Sequence, residues 1–168
     1  MKKIKLYIIA LIGFTLSSCI KNDKIVYSGT ELEWDAATYN ANALGVTYPI
    51  LTRLPGYGRA ALTSDPLITR ASGSVKFRVN LVGPQRSTPT TVTYIVLSSV
   101  TTAVAGTHYN TSGTFTIPAN SSFGEVQVDI LNPGATSGSK DLVLELVPPA
   151  GMKVNANDKD LGIRIAQN

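Results

Sequence analysis

The sequence predicts an all-β protein, an antiparallel β-sandwich of about seven short strands. Three observations predict it. Apolar residues recur with a period of two in successive segments from Val75 onward. Turn residues separate those segments at regular intervals. β-Branched residues abound, while Ala/Glu/Lys/Leu runs with a helical period are absent. The 168 residues suit one domain better than two. A composition 43% hydrophobic and only 15% charged excludes a disordered chain.

The first element is a leader. Lys2, Lys3 and Lys5 precede an 11-residue apolar run, Leu6 to Leu16, and then Ser17-Ser18-Cys19. A basic start, a short apolar stretch and small residues before a cut form a secretory signal. The run is well short of the ~20 residues that span a bilayer. Leu16-Ser17-Ser18-Cys19 resembles the bacterial lipobox, in which the cysteine sulfur receives a diacylglyceryl group and the leader is cut just before it. The sole cysteine of the chain stands at that position. The reading is therefore a signal peptide over 1–18, a lipidated Cys19 with a polar tether over 19–24, and one domain over 25–168. Each buried CH₂ of an acyl chain contributes ~0.8 kcal/mol, so two or three chains hold such a domain on a membrane. Once the leader is removed, 12 basic residues face 11 acidic ones, a net of +1. That balance argues against nucleic acid as a partner.

Strands follow in order. Val26 to Trp34 reads as the first, with Leu32 and Trp34 on one side and Glu31 and Glu33 on the other. Residues 36–73 form an irregular segment, too long for a structureless loop, with a strand expected near Thr47–Thr52. Val75 to Leu81, Val126 to Ile130, Leu142 to Leu146 and Leu161 to Ile165 each alternate apolar-in and polar-out. Thr91–Leu97 is apolar on both faces and reads as a central strand; Gly113–Ile117 is short and ends at Pro118. No segment predicts a sustained helix.

Catalytic chemistry finds little to use. The only histidine, His108, lies in a turn between strands, and no Gly-x-Ser-x-Gly elbow accompanies it. Most acidic residues fall on solvent faces, in the tether or in the tail, which leaves no evident carboxylate pair. Gly56-x-Gly58 lacks the third glycine and following helix of a phosphate cradle. Asn155 to Asp160 lacks the bidentate Glu of a calcium loop and reads as a turn entering the last strand. The sequence predicts no enzyme, no cofactor and no metal.

One cluster stands out. Trp34, Tyr39, Tyr48, Tyr57, Arg53, Arg59 and Arg70 concentrate in the irregular N-terminal third. They either pack that segment onto the sandwich or offer aromatic faces and arginine forks to a ligand. In the second case Tyr48, Arg53, Tyr57 and Arg59 are the candidate contacts, with Tyr57 raised on a tip between Gly56 and Gly58.

From Ala103 to Leu146 the chain resembles Calx-beta and related immunoglobulin-like sandwiches. The residues that carry the likeness are Gly106-Thr107-His108-Tyr109, Gly113-Thr114-Phe115-Thr116-Ile117-Pro118, Val126-x-Val128-x-Ile130 and Leu142-Val143-Leu144-Glu145-Leu146. The resemblance implies an immunoglobulin-like, Calx-beta-like fold. It does not extend to that family's calcium site, because His108 stands where an acid usually precedes the corner Tyr, and Asn132-Pro133 replaces the usual paired acids. Taken whole, the chain is similar to small outer-membrane lipoproteins of Bacteroidota, many of them beside glycan-uptake machinery, whose likeness implies no activity. These readings together predict a non-enzymatic protein anchored to the outer membrane through Cys19 and displayed on the cell surface. Its partner would be a glycan or a surface protein, in the service of nutrient uptake. A structural or adhesin-like subunit is the alternative, and the periplasmic face is the alternative location.

Overall fold

Alternation becomes strand wherever the sequence carries it. The computed structural model describes residues 27–168. The leader, Cys19, the tether and Val26 lie outside the described residues. The elements are β1 (Glu31–Trp34), α1 (Asp35–Tyr39), β2 (Ile50–Leu51), β3 (Ser74–Val82), β4 (Thr90–Val96), β5 (Tyr109–Thr111), β6 (Thr114–Ile117), β7 (Phe123–Ile130), β8 (Ser139–Val147), β9 (Lys153–Val154) and β10 (Asp160–Ala166). Seven strands have four residues or more, and β2, β5 and β9 are shorter.

The strands form two five-stranded sheets, ordered β5-β7-β3-β1-β9 and β2-β10-β8-β4-β6. Their inner faces hold the apolar half of each alternation, and together these residues make one core. Trp34 is fully buried there, and its indole N–H donates to Lys159 O at 3.0 Å, which satisfies its one polar atom. The four edge strands are only two to four residues long, which limits strand addition by another chain. The sheets close on each other where β6 meets β7. A Cβ on Gly124 would lie 2.8 Å from Thr116 O, so only glycine permits this approach.

Several expectations are corrected. β1 begins at Glu31, later than the sequence suggested. β4 buries one face alone: Val92 and Tyr94 point inward, while Thr91, Thr93 and Ile95 are exposed. The strand near 47–52 shrinks to β2, which pairs in parallel with β10; β9 likewise pairs in parallel with β1. A short helix, α1, follows β1 directly. Not every acid is solvent-facing or in the tail: Asp35 and Asp160 are buried.

The irregular segment has order of its own. Residues 52–54 pair with 66–68, through Leu54 N–H to Pro66 O and Ile68 N–H to Thr52 O, both 2.9 Å. Arg70 N–H then joins Ala166 O at 2.9 Å beside β10. The chain thus makes a hairpin-like excursion from the second sheet, and its tip, residues 55–65, reaches the outer face of the first.

Candidate functional site

The excursion tip is closed by its own charges. Arg59 donates two hydrogen bonds to the Asp65 carboxylate, both 2.7 Å. Leu62 N–H adds a third at 2.7 Å. Together these hold the Asp65 pKa down to about 2, the Arg59 bonds being the main cause. Arg53 donates to Asp65 O at 2.5 Å. Both arginines proposed as ligand contacts therefore serve the turn itself.

Asp35 fastens the tip to the sandwich. One of its carboxylate oxygens accepts Gly58 N–H at 2.8 Å, and the other accepts the Asn80 amide at 3.0 Å. Gly58 has φ +69°, a backbone conformation that glycine adopts without the strain of a side chain. Held this way, Tyr57 lies on the outer face of the first sheet, among the polar residues of β3 and β7.

Two strand residues, Glu125 and Arg78, meet it there, and Lys76 and Phe123 engage those two. The Tyr57 hydroxyl donates to Glu125 Oε1 at 2.6 Å, and Lys76 Nζ donates to Glu125 Oε2 at 3.0 Å. The Arg78 guanidinium carbon sits 4.2 Å from the Tyr57 ring centre and 3.8 Å from that of Phe123. Tyr57 remains 43% exposed and Phe123 38% exposed. Burial, reinforced by the bond to Glu125, pushes the Tyr57 pKa up to about 12, so the hydroxyl stays a donor across the physiological range. Glu125 is held below its ordinary value, first by the Tyr57 hydroxyl and then by Lys76. Beside this group lies a depression of about 320 Å³, floored by Gly124 and lined by Phe123, Pro118, Lys76, Glu125 and Gln127. An apolar ring next to a cation, a carboxylate and an amide can stack on one face of a small polar molecule and hydrogen-bond its rim.

The remaining candidates are elsewhere. Tyr48 is only 7% exposed. Its pKa is raised by burial, then by Asp160 and Asp141, and the next carbonyl, Pro49 O, accepts Gly162 N–H at 2.9 Å, which sets it beside the outer face of the second sheet. Arg70 donates to Gln167 O at 3.0 Å and to Asn132 Oδ1 at 2.6 Å. Tyr39 is exposed at the end of α1, and Trp34 is core. His108 Nδ1 accepts Val104 N–H at 3.0 Å in its turn. The structure thus gathers Tyr57 with Lys76, Arg78, Phe123 and Glu125. In sequence, Lys76, Arg78 and Glu125 look like the ordinary polar side of their strands. Phe123 carried the missed signal, because the period that turns Val126 inward turns Phe123 outward.

No family model matches the chain, and no curated protein matches it. Among solved structures it is similar to the apo form of the Calx CBD1 domain, at 17% identity and a TM-score of 0.51, over 60% of this chain and 88% of that one. It is also similar to the calcium binding domain CBD12 of CALX1.1, at 19% identity and a TM-score of 0.50, over 59% of this chain and 40% of that one. The fold is Calx-beta-like. The chain spans about two fifths of the length of the CBD12 structures it matches. At these identities the likeness establishes the fold alone.

Proposed function

We propose that this protein is a non-enzymatic, lipid-anchored domain of the outer membrane, displayed on the cell surface, that binds glycan as an accessory of nutrient uptake. The observation that carries the binding is the Tyr57–Arg78–Phe123 group, two exposed aromatic rings beside Lys76, Glu125 and Gln127 on an open sheet face. Sugar rings offer an apolar C–H face and a rim of hydroxyls, and this surface matches both. The short edge strands favour this reading over assembly by strand addition. The anchor rests on Cys19 at the end of its lipobox-like sequence.

The test is a glycan array with the wild type and Tyr57→Ala. The variant should lose binding while losing about 1–2 kcal/mol of stability, as for a half-exposed ring with one hydrogen bond and one cation–π contact. A wild type that binds no glycan would hand the function to the structural or adhesin-like alternative. Labelling with a palmitate analogue tests the anchor separately. The wild type should label and Cys19→Ala should not.

A further inference from the structure

Arg78 is held in place and has nothing to hold. The register sets it directly opposite Glu125, the position of an ordinary cross-strand ion pair. No such pair forms among the described residues, because Tyr57 and Lys76 occupy the two Glu125 oxygens. Arg78 packs instead against two aromatic rings. Its side chain has no hydrogen-bond acceptor among the described residues, and its Nε is fully buried and unpartnered. The other arginines differ. Arg53, Arg59, Arg70 and Arg164 each donate to a protein acceptor, and Arg86 is exposed on a loop.

A half-buried guanidinium without an acceptor is costly unless something supplies one. Its fork is planar and rigid, and it suits a group with two anionic oxygens. Packing against rings fixes its place without using its N–H donors. Lys76 is paired with Glu125, and Asp35 and Asp129 accept hydrogen bonds from other groups, so Arg78 is the cation of this face left without a carboxylate among the described residues.

We infer that Arg78 is the specificity residue of the site and recognises an anionic group, a carboxylate or a sulfate, on an acidic polysaccharide. The inference rests on the glycan-binding reading and names the class of glycan. On this assignment the rings of Tyr57 and Phe123 stack on a sugar while Arg78 takes its acidic substituent. Lys76 and Glu125 meet neighbouring hydroxyls.

Affinity gel electrophoresis of the lipidated full chain in detergent tests this with paired polymers. Polygalacturonate and its methyl ester share a backbone and differ in free carboxylate; dextran sulfate and dextran differ in sulfate. One acidic polymer should retard the wild type at least tenfold more strongly than its neutral partner, and the one that does identifies the group. Arg78→Gln should lose that preference at least tenfold. Arg78→Lys, which keeps the charge without the fork, should lose part of it and also carries the test should Arg78→Gln melt early. Arg86→Gln removes the same charge from the exposed loop and should bind like the wild type. Equal retardation by acidic and neutral polymers, or equal loss in Arg86→Gln and Arg78→Gln, would overturn the inference and leave glycan binding standing. Retardation by none of the four, with an empty array, would overturn both.

Discussion

The two sheets share a strand count and a core, yet their outer faces are built differently. On the second sheet each basic side chain of the outer face reaches a carboxylate on the neighbouring strand. Arg164 grips Asp141 through two bonds of 2.8 and 2.7 Å, and Lys159 reaches Glu145 at 3.1 Å. Between these pairs Val143 is 1% exposed although it points away from the main core, and Tyr48 is buried on the same face. Gly162, opposite Val143, leaves room for β2 to lie close, since a Cβ there would come 2.8 Å from Ile50. On the first sheet the excursion tip covers part of the face and takes Glu125 from Arg78. One outer face is covered, with its lysine and arginine paired; the other is open, with one arginine that has no hydrogen-bond acceptor among the described residues. The proposed function rests on that contrast rather than on the concentration of aromatics along the chain.

Breaking the core that both sheets share should have the largest effect. Leu144 is fully buried, and Leu144→Ala should cost about 2–5 kcal/mol in urea melts through lost transfer energy and a cavity. The outward residues then separate the two faces. Val143→Ala should cost roughly 1–3 kcal/mol because its face is covered, whereas Gln127→Ala on the exposed first sheet should stay within about 0.5 kcal/mol. Equal losses at these two positions would erase the distinction between the faces.

A smaller effect comes from Asp160. Its carboxyl pKa is raised above the ordinary value, first by burial, with Lys159 opposing and Glu145 reinforcing the rise. The fold therefore favours the protonated acid. The stability this group contributes is present below its unfolded pKa and is lost as pH rises through the higher folded value. Asp160→Asn cannot ionise, so it should gain up to about 1 kcal/mol at pH 7, and the gain should vanish near pH 3. Thermal melts at the two pH values check it; a gain that persists in acid would mean that ionisation is not the cause. The Arg59–Asp65 bonds act in the opposite sense. They add stability above the ordinary carboxylate pKa, which fades as pH falls toward about 2.

The smallest expected effect is none at all. Among the described residues no three metal-ligating acids or histidines gather, and most acids on both faces already accept internal hydrogen bonds. Thermal melts with millimolar calcium and with chelator should coincide. A rise of several degrees with calcium would show that these acids remain available to a cation.

Much of the fold was legible because burial of one strand face imposes a two-residue period that single residues cannot hide. The alternations of β3, β7, β8 and β10, the core position of Trp34 and the turn at His108 all follow from it. The candidate site was legible only in part. Tyr57 could be singled out by its flanking glycines, but Tyr48, Arg53 and Arg59 look equally suited in sequence and lie buried or engaged within the excursion. No local pattern separates a tyrosine that covers a sheet from one that faces solvent.

By itself, the sequence determined the fold class and the inward and outward faces of β3, β7, β8 and β10. Tertiary structure alone decided the rest. Register put Arg78 opposite Glu125, Asp35 pinned the tip through Gly58, and the tip delivered Tyr57 to Glu125 from 68 residues away. The physical reason is that hydrophobic patterning is a local, repeated signal that the chain carries in every strand. The pairing of one charge with another depends on which distant groups the folded chain brings within reach of its oxygens.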